Sequence, residues 1–312
     1  MARVLFQRAA SGYRTVRGEV VRGIQSALKE AGSEPGDIDG IYGNDTETAL
    51  KDFQSRQALA ITGKVTDETW SKLMGAPPPA IRDRCLQLTA DFEGHGFRKV
   101  VGNFDGAGIT WGIIGFTLQH GEIQEIFKEI QRSRPELIGQ SFGALEQELR
   151  RVLGLNREQQ LDWASGISLG SSRYKVEPAW EQAFATFGGL PEVQEIQLRR
   201  VNRYWDIARR DAQRFQLATE MGLALCFDIA VQNGGIDFDF EQRWIERWLH
   251  DNPGASERDR RVRIADVVAE NSKAQYVEDV RRRKRTLATG DGLVHDARYG
   301  TRDWGIGEDE AA

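Results

Sequence analysis

A chain of 312 residues, 40% hydrophobic and 29% charged, carries enough apolar surface for one substantial core beside a smaller module, so two domains are expected. Its formal charge of −5 and pI near 5.6 argue against nucleic-acid binding, which needs a basic face to release counterions. No run approaches the roughly 18 apolar residues of a membrane span, and the first residues show no secretion signal. Cys85 and Cys226 each fall in an apolar helical pattern and read as buried thiols rather than a disulfide. The four histidines are scattered, with no close Cys/His pairing, so neither a metal nor another cofactor is expected.

Residues 1–16 read as an N-terminal arm. Val21, Ile24 and Leu28 then share one helix face that ends near Gly32. Asp39-Gly40 and Tyr42-Gly43 bracket a turn, after which Asn44 or Asp45 can cap a second helix with Ala49, Leu50 and Phe53 inward. Gly63 marks another turn, Thr66 caps a third helix, and Trp70 and Leu73 pack it. Up to Gly75 the chain holds ten basic and ten acidic residues, so this module does not bind by bulk charge. The ordered string of helix ends, turns and caps in "IQSALKEAG…DIDGIYGNDTETALKDFQSRQALAITGKVTDETWSKL" resembles the peptidoglycan-binding type-1 repeat over residues 17–75. That resemblance implies a three-helix module that binds cell-wall glycan-peptide. The turn from Asp39 to Gly43, with Tyr42 and the adjacent Thr46, is the expected contact surface.

"GAPPPA" cannot continue a helix and reads as a linker over 76–80, leaving 81–312 as the large domain. Ile81, Cys85, Leu88 and Phe92 form an apolar stripe, which predicts a helix terminated by Gly94 in the left-handed conformation. Glu93 then sits at the negative end of that helix beside a buried phenylalanine, a setting that favours the protonated acid. Asp105, in "GNFDGAGIT", lies in an open glycine-rich loop that favours the ionised form. Two carboxyl groups whose surroundings push them apart in this way are what glycoside hydrolysis requires. Thr110 is placed to hold a water between them, and Trp111 is the aromatic expected to line a groove. His95 and His120 read as loop hydrogen-bonders.

The segment "GNFDGAGITWGIIGFTLQHGEIQEIF" resembles glycoside hydrolase family 46, the chitosanases with a lysozyme-like fold. The resemblance implies Glu93 as general acid, Asp105 as general base, Thr110 as the water-positioning hydroxyl and Glu122 as a subsite carboxylate. It further implies that Asp228, inside the apolar run "LALCFDIAVQNGG", pairs with an arginine of the C-terminal helix, where Arg282 and Arg283 are both available. The basic run 281–285 otherwise reads as a solvated helix face, Trp244 and Trp248 as packing residues, and "DWGIGEDEAA" as a frayed acidic tail.

The expected fold is mainly α: a small three-helix module plus a larger lysozyme-like (α+β) catalytic domain. The expected function is a peptidoglycan hydrolase that cuts the β-1,4-linked glycan strand. It would be made in the cytoplasm without a signal peptide and act in the periplasm or cell wall, as a phage endolysin or a secreted antibacterial effector. The expected partners are glycan strands, and for an effector an immunity protein or secretion component, with the chain itself a monomer. The alternatives are a chitosanase and a non-catalytic wall-binding protein.

Overall fold

Residues 3–94, 96–237 and 239–308 are described in a computed structural model. His95 and the last four residues of the acidic tail lie outside them. The chain is mainly helical with a few two- to four-residue strands, and it divides into two units, residues 1–92 with 204–312, and Glu93–Arg203.

In the first unit the helices Glu19–Glu30, Asn44–Arg56 and Asp67–Met74 bury Val21, Ile24, Leu28, Leu50 and Phe53, the faces that helical spacing predicts. Thr66 caps the third helix by accepting the Thr69 amide at 3.2 Å. The second helix begins differently from expectation: Gly43 is the N-cap, and Asn44 and Asp45 already lie in the first turn, so neither side chain caps it. Strand Val4–Phe6 pairs antiparallel with Val65–Thr66 and buries Leu5 and Phe6. After the third helix, Trp70 Nε1 donates to the Pro77 carbonyl at 2.9 Å and fastens the start of the proline segment.

The same unit contains the helices Ile81–Phe92 and Glu220–Asn233, which pack together. Asp228 is fully buried in the latter. It accepts from Arg283 Nη2 at 2.7 Å, from Lys284 Nζ at 2.6 Å and from Thr89 Oγ1 at 3.3 Å. The ion pair is therefore made by Arg283, with Lys284 as a second cation, while exposed Arg282 bonds Glu278. The basic run is not a solvated face throughout, since Arg283 and Lys284 point inward. Burial alone would raise the Asp228 pKa, but the two cations hold it down at about 2. The hairpin Asp291–Val294/Ala297–Gly300 leads into a short turn whose Trp304 and Ile306 are buried. Residues 303–306 of the tail are thus core, because an indole and an isoleucine gain more by burial than by fraying.

The second unit begins at Glu93 with a three-stranded antiparallel sheet, Val100–Val101, Thr110–Trp111 and Phe116–Thr117. Helices Glu122–Ser133, Glu136–Phe142, Glu146–Leu153, Arg157–Gly166 and Pro178–Gly188 follow, with a small hairpin, Ser168–Leu169/Lys175–Val176, before the last of them. Its core is aromatic: Trp111, Phe127, Phe142, Trp180, Phe184 and Phe187.

Candidate active site

Both candidate catalytic acids belong to the second unit. Glu93 directly follows the helix Ile81–Phe92, is half-buried, and precedes Gly94, whose φ of 64° is the left-handed terminator expected there. The helix end beneath it is firmly held. Phe92 is buried, with the Tyr299 ring 4.8 Å away edge-on and the Arg283 guanidinium 5.3 Å from its centroid. Asp91 accepts from Tyr299 Oη at 2.7 Å and from Arg14 Nε at 3.0 Å. Glu93 therefore leaves a fixed last turn.

Asp105 lies in the loop that joins the first two strands of the sheet, fully in solvent reach. Its Oδ1 accepts the Ala107 amide at 3.0 Å, a local turn that aspartate makes with the backbone two residues on. Asn103 anchors the base of the loop: its Nδ2 donates to Ser165 Oγ and its Oδ1 accepts the Gly108 amide, at 2.8 and 2.9 Å. Its own amide donates to Ser168 Oγ at 2.8 Å, and the Gly102 amide donates to the Tyr174 carbonyl at 2.8 Å. At Gly102 a Cβ would lie 2.6 Å from Ser168 Oγ and 2.8 Å from the Lys175 carbonyl oxygen, where backbone cannot yield. Gly102→Ala is accordingly expected to destabilise the protein by about 1–3 kcal/mol, read as a lowered urea midpoint.

Thr110 pairs with Val101 and Thr117 in the sheet and retains 7% exposure. Strand alternation sends its neighbour Trp111 the other way. Trp111 is fully buried and stacks on Phe187 at 5.7 Å, so it is a core residue and not a groove residue. Glu122 opens the helix Glu122–Ser133, and its Oε2 accepts the Thr117 amide at 3.1 Å, which ties the sheet edge to that helix. His120 is a loop hydrogen-bonder, its Nδ1 at 2.8 Å from Thr117 Oγ1.

Two of the expected wall contacts are internal. Tyr42 is fully buried, its hydroxyl donating to the Gly63 carbonyl at 3.1 Å, and its phenol is pushed up by burial. Thr46 is buried beside Gln25 Nε2 at 3.1 Å. Only Asp39 is exposed, and its carboxylate accepts from Gln25 Nε2 and the Ile41 amide, which lower its pKa. The tyrosine has to reach across the module to close the Gly63 turn, which removes it from the surface. An open cleft of about 490 Å³ lies elsewhere in the first unit, lined by Gln7, Arg8, Tyr13, Glu47, Lys64 and Asp303.

Sequence reasoning also missed two groups. Lys284 is the second cation on Asp228, signalled only by its place next to Arg283 on the face that meets the buried helix. Phe104 is the residue before Asp105 and stands exposed, and a large apolar residue in a glycine loop, outside any helical or strand period, was the signal for it. Trp244, expected to pack, is likewise exposed. Among the described residues no group of three or more His, Cys, Asp or Glu is arranged to hold a metal, and no helix is long and apolar enough to cross a membrane.

Residues 17–73 match the family model described as "Putative peptidoglycan binding domain". No curated protein matches the chain. Among solved structures, the chain is similar to the GH46 chitosanase GsCsn46A of Gynuella sunshinyii in complex with chitotetraose, at 20% identity and a TM-score of 0.47, over 68% of this chain and 87% of that one. It is also similar to a native chitosanase from Bacillus subtilis MY002, at 18% identity and a TM-score of 0.48, over 70% of this chain and 97% of that one.

Proposed function

We propose that the chain is a glycosidase that cuts peptidoglycan strands, with the module at residues 17–73 holding it on the wall. The observation that carries this reading is the occurrence, in one chain, of a match to a wall-binding family and of two acids in contrasting settings within one unit. Glu93 is half-buried at a fixed helix end, and Asp105 is exposed on an anchored loop. In this reading Glu93 protonates the glycosidic oxygen, Asp105 takes the proton of the attacking water, and the Thr110 hydroxyl helps to hold that water. Action would follow release through a lysed membrane or injection into a rival's periplasm.

The test is the full chain on purified sacculi and, separately, on chitosan, with reducing ends as the readout. Release from sacculi is the expected result. Release from chitosan alone would establish the chitosanase alternative, and retention on sacculi with no new reducing ends would leave a wall-binding protein. Co-purification with a tight inhibitor encoded beside it would favour the effector route over the endolysin.

A further inference from the structure

Beside Asp105 the second unit leaves two large rings in water. Phe104 is 49% exposed and Tyr174 41% exposed, and their ring centroids stand 5.4 Å apart at 54°. Neither ring is on a loose tether. The Gly102 amide is bonded to the Tyr174 carbonyl, the Asn103 amide to Ser168, and Gly102 sits against the backbone at Lys175, so the Asp105 loop and the Tyr174 turn are joined at their base. Lys99 Nζ lies 5.8 Å from the centre of the Tyr174 ring, within range of a cation–π contact. Lys99 is exposed, as are Arg173 and Lys175 on either side of Tyr174.

An aromatic face is electron-rich, and the axial C–H groups of a pyranose present a weakly positive, apolar surface that fits it. Placed next to a candidate catalytic carboxylate, such a pair orients a ring without consuming hydrogen bonds. The surrounding cations add selectivity. A strand of glucosamine carries an ammonium on every ring and is repelled, whereas an N-acetylated strand is neutral and the lactyl-peptide branches of peptidoglycan carry carboxylates.

We propose that Phe104 and Tyr174 stack a sugar ring of the bound strand beside Asp105, and that Lys99, Arg173 and Lys175 make this subsite prefer acetylated, acid-bearing glycan over polycationic glucosamine. The inference rests on the glycan-hydrolase reading for the class of ligand, yet it is tested by binding. The full-length Glu93→Gln protein is titrated calorimetrically with a tetramer of N-acetylglucosamine and with a tetramer of glucosamine, and wild type is assayed on sacculi in parallel. Phe104→Ala and Tyr174→Ala should each weaken the acetylated tetramer about tenfold. Tyr174→Phe should retain the affinity, and Lys99→Glu should raise the affinity for the glucosamine tetramer several-fold. Both rings are exposed, so an unchanged circular dichroism spectrum certifies the fold of the variants. Affinity for the acetylated tetramer that stays within twofold in both alanine variants, or no binding of it at all, overturns the stacking subsite. An affinity for the glucosamine tetramer left unchanged by Lys99→Glu overturns the charge selection. Ring-dependent binding together with intact sacculi would instead sink the hydrolase reading and leave the subsite standing.

Discussion

Glu93→Gln is expected to lower the release of reducing ends from sacculi by a factor of about 10²–10⁴, the usual contribution of a positioned general acid, while the protein still sediments with the sacculi. Glutamine has nearly the same volume and Glu93 is only half-buried, so the thermal midpoint should stay within a degree or two of wild type. Asp105→Asn is the sharper partner experiment. The asparagine oxygen can still accept the Ala107 amide now bonded by Asp105 Oδ1, so the loop keeps its turn and loses only its charge. A comparable fall in rate would assign the charge itself to the reaction. Rates unchanged in both variants would remove the pair from the mechanism, whatever the protein does on the wall.

The second large effect lies in the buried network. Arg283→Met removes the bidentate partner of Asp228 and leaves a fully buried carboxylate with Lys284 and Thr89 alone. Breaking one side of such a pair costs about 3–5 kcal/mol, which for a unit of this size lowers the melting midpoint by roughly 2–4 °C per kcal/mol. The wild-type pair also sets an acid limit. With Asp228 held at about 2 in the folded chain against about 3.9 unfolded, its stabilisation is complete above the unfolded value. It is lost as pH falls from about 4 through about 2, because the unfolded chain takes up the proton first. Urea midpoints at pH 7, 4 and 2.5 should fall steeply over the last interval in wild type. The fall should be shallower in Asp228→Asn, and equal slopes would show that the carboxylate does not govern the acid transition.

Much of the helical architecture was legible because each helix carries its own period. Val21, Ile24 and Leu28 fixed one face, Cys85, Leu88 and Phe92 another, and Gly94 and Gly234 stop their helices in the left-handed conformation. The placement of Asp105 in an open loop was legible for the same kind of local reason, since glycines surround it. What failed was whatever depends on a partner distant in sequence. Strand Thr110–Trp111 is two residues long, too short to display alternation, so the inward turn of Trp111 gave no signal. Tyr42 looks like a turn residue until its hydroxyl is seen to close the Gly63 turn. The carboxylate of Asp228 takes two cations because consecutive residues of one helix reach its two oxygens, a geometry that no spacing rule records.

One further consequence concerns synthesis. Strand Val4–Phe6 leans on Val65–Thr66, and the Gln7 amide donates to the Asp303 carbonyl at 3.2 Å across 296 positions of sequence. The Arg84 guanidinium, bonded to Glu220, also donates to the Gly305 carbonyl. The strand Val4–Phe6 can therefore pair with Val65–Thr66 and set Phe6 against Trp70 early, but the Leu5 backbone meets Gly305 only once residues 301–306 have been made, whereas among the described residues the aromatic core of 93–203 finds its ring partners within that unit. Closing so long a loop is slow, so the segment translated in the middle should acquire protease resistance first, and a chain clipped just after Thr289 should aggregate rather than complete the cover of its leading strand.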